Sequence, residues 1–203
     1  MEEPVIPKSG ERGDFLLAVI SLPGCFDGEA DILEGLLECG LQKLHLRKPR
    51  ATDGEKAALL ERLAPRWASR LVWHGSVGRA MEHGIPQVHG SVGLAGGRLA
   101  VSTSVHSWAE LKALPAGLAY SFISPLFDSI SKPGYGANKA LLQRPDDVFP
   151  CMPVGLGGIG AATLGEMMQA GWMGAAVLGE IWEEPLQAVK RYERLKKIID
   201  GQY

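Results

Sequence analysis

Four of the five histidines, His45, His74, His89 and His106, stand at the C-terminal ends of short apolar runs that read as strands. A random scatter would place far fewer there. An imidazole at a strand end can move a proton near neutral pH, or it can simply hydrogen-bond a turn. For His74 and His89 the favoured role is the second. His106 follows Ser-x-Ser on a loop and is the candidate general acid/base. The spacing of the four holds no local ligand pair of the metal-binding kind, so no metal ligand is assigned, a histidine zinc site being the minor alternative. On the run Lys43 to Lys48, alternation sets His45 and Arg47 on one face, one deep and one near the mouth. Arg47 with Lys48 suits an anionic group, a carboxylate or a phosphate, the alternative being a salt bridge at the rim.

A second kind of chemistry is written in Pro153–Trp182, PVGLGGIGAATLGEMMQAGWMGAAVLGEIW. The spacing predicts strand, glycine turn, helix, strand, glycine turn, helix. Met152–Leu156 stops at Gly157-Gly158, and Gly174–Leu178 stops at Gly179. Two parallel strands ending in glycine before helix N-termini place free amide N–H groups side by side, which favours an anion such as a phosphate. The alternative is that these glycines only make tight turns. The polar stretch Asp128–Gly134, DSISKPG, offers the hydroxyls of Ser129 and Ser131 and the ammonium of Lys132 as further ligand contacts, and its length suits a clamping loop.

The elements that must carry these residues alternate along the chain. Phe15–Ser21 is an unbroken apolar run, as in a strand buried on both faces of a parallel sheet. Further strands are predicted at Lys43–Lys48, Arg70–Trp73, Pro86–His89, Leu99–Ser104 and Leu118–Ser124, ahead of the two already given. Helices are predicted at Ala30–Cys39, Thr52–Ala64 with a Thr52/Glu55 capping box, Ser76–His83, Ser107–Ala113 and Ala161–Ala170. A helical turn at Asn138–Gln143 and a last helix at Glu183–Asp200 complete the set. The loop GSVGLAGG after strand four holds no convincing helix. Eight strand–helix units imply an α/β fold, a closed (β/α)8 TIM barrel in one compact domain over residues 1–203, with an open parallel sheet as the alternative. Working residues of such barrels sit at the C-terminal strand ends, and a phosphate commonly binds after strands seven and eight.

Bulk composition excludes several classes. A net charge of -2 without a basic block argues against nucleic acid as partner. No apolar run is long enough to span a membrane, and MEEPVIPKSGERGD is too polar for a signal peptide. Three cysteines without CxxC spacing read as reduced thiols, so a cytoplasmic location is expected.

In this frame the motifs resemble the thiamine phosphate synthases and their TenI-type relatives. FISPLFDSISKPGYG resembles their loop after strand six, PVGLGGIG their strand-seven glycine turn, and AAVLGEIW the segment before their last helix. LHLRK resembles their strand two and STSVHSWAEL their strand five, and the match runs in order over nearly the whole chain. The resemblance implies a barrel that binds a thiazole phosphate. Synthases join that phosphate to a pyrimidine diphosphate with magnesium, whereas TenI-type relatives move a proton to aromatise a carboxythiazole phosphate. Gly157, Gly158, Leu178 and Gly179 match the thiazole-phosphate clamp. Ser129, Ser131 and Lys132 match the threonine–lysine loop, and Arg47 the strand-two arginine. His45 stands where a glutamine is usual, and Lys48 one place before the family lysine.

The chain departs from the synthases at their metal acids. His74-Gly75 replaces Asn-Asp after strand three, and HGSVGLAGG after strand four carries no acid. The resemblance therefore implies a thiazole phosphate tautomerase with His106 as acid/base, ahead of a synthase and of a non-catalytic thiazole or thiamine phosphate binder. The expected partner is a small-molecule thiazole phosphate, with a homodimer compatible with the sequence. No cofactor is expected, Mg2+ entering only for a synthase.

Overall fold

A computed structural model describes residues 15–90, 92–94, 96–97, 99–128 and 138–201. Eight parallel strands close on themselves in sequence order. They are β1 (Leu16–Ile20), β2 (Lys43–Leu46), β3 (Leu71–Trp73), β4 (Gln87–His89), β5 (Ala100–Val105), β6 (Leu118–Ile123), β7 (Met152–Leu156) and β8 (Gly174–Val177). Closure is made by β1 on β8, with Leu17 opposite Ala175 and Val19 opposite Val177. The helices are α1 (Glu29–Glu38), α2 (Asp53–Trp67), α3 (Val77–Glu82), α4 (Trp108–Lys112), α5 (Lys139–Leu142), α6 (Leu164–Gln169), α7 (Gly179–Trp182) and α8 (Ala188–Ile199). The fold is the (β/α)8 barrel expected from the alternation of elements.

Strand alternation divides the core in two. Outward-facing Leu17, Val19, Leu44, Leu46, Leu71 and Val177 pack with Leu33, Leu36 and Leu37 of α1, Leu60 and Leu63 of α2, and Leu195 of α8. Each such buried side chain contributes roughly 1.5–3 kcal/mol of transfer free energy. Ala18, Ile20, Tyr120, Phe122, Val154 and Ala176 form a second, smaller cluster inside the barrel. These come from β1, β6, β7 and β8 only. The other half of the interior, from β2 to β5, is mostly polar, with Val72 of β3 its buried apolar residue.

Element ends differ from the expectation where proline intervenes. The last helix does not run unbroken from Glu183: α7 starts at Gly179, a 3-10 turn follows at Pro185–Gln187, and α8 begins at Ala188. Pro185 has no N–H to continue the first helix. Helix α6 starts at Leu164, because the three residues before it form turns. The capping box is present: Thr52 accepts from the Glu55 amide, and Glu55 accepts from the Thr52 amide. Among its described residues the fourth unit carries the 3-10 turn Val92–Leu94 in place of a helix.

Lys48, expected among the substrate contacts, has its ammonium in a buried ion pair. Alternation turns it outward beneath α1, where its ammonium is buried against the Glu29 carboxylate and donates to the Gly24 carbonyl at 2.9 Å. Burial raises the Glu29 pKa, and the Lys48 ammonium opposes that shift. Replacing Lys48 with Met leaves a buried carboxylate unpaired. The expected cost is roughly 3–5 kcal/mol, read as a fall in the urea midpoint at pH 7. The double variant Glu29→Gln/Lys48→Met should recover part of it. A Lys48→Met protein as stable as the parent would remove the structural role.

Candidate functional site

The polar half of the interior is built by three histidines and their hydroxyl partners. His45 faces inward from β2 and is fully buried. His74 follows β3 directly, and His89 ends β4. The register sets His89 opposite Ser102 and Ser102 opposite Tyr120 on the same inner face. His45 Nδ1 lies 2.8 Å from His74 Nε2, and His45 Nε2 lies 2.5 Å from the Tyr120 hydroxyl. His89 Nδ1 meets the Ser102 hydroxyl at 2.8 Å and its Nε2 the Ser104 hydroxyl at 3.1 Å. The His74 and His89 rings stack at 4.2 Å between centroids, and His45 stands edge-on to both. One ring nitrogen from each of the three lies within 4.8 Å of the other two.

These imidazoles are held neutral. Burial lowers the His74 pKa to about 3 and that of His89 to about 4, and the Arg47 charge adds to both shifts. His45 is pushed well below 6.5, first by burial and then by the neighbouring rings. Burial raises the Tyr120 pKa, so its hydroxyl keeps its proton.

Above the cluster, Arg47, Lys56, Trp73, His74, Ser76 and Arg79 line a cavity of about 370 Å³. Arg79 and Lys56 share the Asp53 carboxylate at 3.0 and 3.4 Å. The exposed Arg47 guanidinium pairs with no carboxylate among the described residues. Arg47 is thus the cation here with charge to offer an anion.

On the opposite side of the mouth are the two glycine turns. Gly157 and Gly158 have φ of 99° and 61°, in the region that favours glycine. A Cβ at Gly158 would lie 2.4 Å from the Asp128 carbonyl oxygen, so only glycine lets the loop after β6 approach the loop after β7. The amides of Gly157, Gly158 and Leu178 donate to no acceptor among the described residues. Leu156 pairs with Ala176, which brings the two turns side by side. Gly179 opens α7. Ser129, Ser131 and Lys132 lie outside the described residues.

His106 is exposed one residue beyond β5. Its Nδ1 donates to the Ser124 carbonyl at 3.0 Å, and its backbone amide donates to Glu110. That bond selects the tautomer with a lone pair on Nε2, the form a general base requires. The histidine cluster and His106 do not touch. Sequence reasoning assigned His45 to substrate and rated His74 and His89 as turn residues. What it lacked was the register that joins three strands; the only available signal was the set of strand-end histidines itself.

Solved structures share this architecture over nearly their whole chains. A thiamine phosphate pyrophosphorylase from Bacteroides thetaiotaomicron superposes with a TM-score of 0.70 at 26% identity, over 93% of this chain and 99% of that one. The chain is a member of the thiamine phosphate synthase/TenI superfamily. A thiamine phosphate pyrophosphorylase from Pyrococcus furiosus gives a TM-score of 0.74 at 19% identity, over 94% and 98% of the two chains. A 3-hexulose-6-phosphate synthase from Salmonella typhimurium gives 0.67 at 10% identity, over 92% and 99%, a likeness of fold alone. A scan against family models and a search of curated proteins gave no match. No helix among the described residues is long and apolar enough to cross a membrane.

The magnesium of the superfamily's synthases does not fit the residues at these strand ends. Magnesium asks for an octahedron of oxygens, and the donors converging here are imidazole nitrogens. A side chain at Gly75, after β3, would meet the buried Trp73 indole at 2.3 Å. An acid is therefore excluded there unless Trp73 moves.

Protonating the neutral rings requires unfolding or rearrangement. Because their folded pKa values lie below the ordinary 6.5, stability is complete above that pH and is lost as pH falls toward 4. The slope approaches about 1.4 kcal/mol per pH unit for each histidine. Urea midpoints of chelator-treated protein should fall from pH 7 to pH 5, and the fall should shrink in His74→Gln/His89→Gln. Equal midpoints at the two pH values would contradict the buried neutral state.

Proposed function

We propose that this protein acts in thiamine biosynthesis as a TenI-like thiazole phosphate tautomerase. The carrying observation is His106, exposed beyond β5 with Nδ1–H bound to the Ser124 carbonyl, which leaves Nε2 as the base. Nε2 takes a proton from one carbon of the unaromatised thiazole and returns it to the other, shifting the double bond so that the ring becomes aromatic. Atoms are conserved, and no metal is needed for this transfer. The unpartnered amides at Gly157, Gly158 and Leu178 suit the phosphate ester. Arg47 suits the carboxylate by charge-assisted hydrogen bonds. Ser129, Ser131 and Lys132 complete the proposed contacts as a clamp.

A second reading is supported by the two pyrophosphorylases that share the fold. It makes this chain a thiamine phosphate synthase with altered diphosphate contacts. The lack of a fitting magnesium donor set among the described residues counts against it.

The test is incubation with carboxythiazole phosphate before aromatisation, followed by absorbance. The chain should accelerate aromatisation, and His106→Ala should lose a factor of roughly 10²–10⁴ in kcat. Arg47→Ala should raise KM by about tenfold or more, as a lost charged hydrogen bond does. No acceleration over buffer would remove the tautomerase reading, and full activity of His106→Ala would remove that residue. Magnesium-dependent release of pyrophosphate from a pyrimidine diphosphate would establish the synthase instead.

A further inference from the structure

We propose that His45, His74 and His89 form a binding site for a zinc-type divalent transition-metal ion, with a fourth coordination position left for water or an anionic ligand atom. Three imidazoles plus one open position is the donor set of a catalytic rather than a structural zinc site. The three residues come from the ends of three adjacent strands, β2, β3 and β4, so rigid elements hold them. They are the only group of three metal-capable side chains brought together among the described residues.

The geometry is near what such an ion needs. With metal–nitrogen bonds of about 2.1 Å, tetrahedral nitrogens lie about 3.4 Å apart. Here the nitrogens lie within 4.8 Å, with His45 Nδ1 and His74 Nε2 already at 2.8 Å. Ring rotations that close the widest pair by at most roughly 1.4 Å and open the His45–His74 pair by roughly 0.6 Å, exchanging its hydrogen bond for two metal bonds, would seat an ion.

The surrounding groups are those that orient metal-binding imidazoles. Tyr120 holds His45 Nε2 and so turns Nδ1 toward His74. Both nitrogens of His89 meet hydroxyls, Nδ1 that of Ser102 and Nε2 that of Ser104, so one serine contact gives way when the ion binds and the other orients the ring. Hydroxyls or carbonyls on the far nitrogen set the tautomer and ring angle of metal ligands. Neutral imidazole is the ligating form, and burial keeps all three rings neutral at pH 7.

Alternative accounts of the cluster explain less. As packing, three imidazoles bury polar nitrogens that the apolar half of the same interior does without. As a magnesium site they have the wrong donor atoms. Arg47 adds positive charge nearby, which disfavours a bare ion and favours one bearing an anion. The carboxylate or phosphate oxygen of a ligand in the 370 Å³ cavity would therefore bridge metal and guanidinium.

This inference is independent of the tautomerase reading, and its test needs no turnover. Chelator-treated protein is titrated with cobalt(II), followed by visible absorption, and then with zinc in competition. One saturable equivalent of cobalt with tetrahedral-type bands, displaced by zinc, is expected. His74→Ala and His89→Ala should each weaken binding by at least about 100-fold, more than the 10–100-fold typical of outer contacts. His83→Ala, away from the cluster, should bind like the parent. Circular dichroism checks that each variant is folded. Two results would overturn the site: no saturable cobalt or zinc binding by the parent protein, or undiminished binding by folded His74→Ala/His89→Ala. Neither bears on whether His106 aromatises the thiazole.

Discussion

Closure of the parallel sheet is the constraint on which everything else rests. Once β1 pairs with β8, each strand has one face toward the helices and one toward a narrow interior. Side-chain alternation then sorts every residue without further choice. Leu44 and Leu46 go to the helices, and His45 between them goes inside. Lys48, two places beyond Leu46, falls on the helix side and must find a buried partner, which Glu29 supplies. The same rule that turns the Arg47 guanidinium to solvent turns the Lys48 ammonium to Glu29.

The interior is asymmetric in a way that matters for chemistry. Its β1 and β6–β8 side is apolar and packs tightly around Phe122. Its β2–β5 side is a chain of imidazoles and hydroxyls. Buried polar groups demand partners, and the strands provide them across the barrel: Tyr120 to His45, His45 to His74, Ser102 to His89. Low dielectric keeps these rings uncharged, and among the described residues no carboxylate pairs with them to draw a proton onto them. His106 lies outside this shell and is exposed. One molecule thus carries two chemically distinct kinds of histidine.

Sterics at two glycines separate the two sides of the mouth. Gly158 lets the loop after β6 lie against the turn after β7, where unpaired amides collect. Gly75 is pressed on the Trp73 indole, so the strand-three end presents His74 and no acid. A site rich in amide donors faces one rich in imidazole and guanidinium, and both favour anionic small molecules.

How much of this could be read from the chain depends on the range of the interaction. Apolar runs stopped by glycine, the Thr52/Glu55 box and the weak fourth unit are local, and the sequence by itself determined them along with the barrel. Nearest-neighbour chemistry also marked Gly157-Gly158, Arg47 and His106. The ion pair of Lys48 was not legible, because its partner lies 19 residues away on a helix whose contact with β2 no spacing reveals. The meeting of His45, His74 and His89 was equally invisible, since 29 residues separate the first two and only the register between β2 and β3 brings them to 2.8 Å. Local periodicity decides which elements form and which way each side chain points. Only closure of the sheet decides which side chains meet, because contact between strand ends depends on distances that the linear order does not contain.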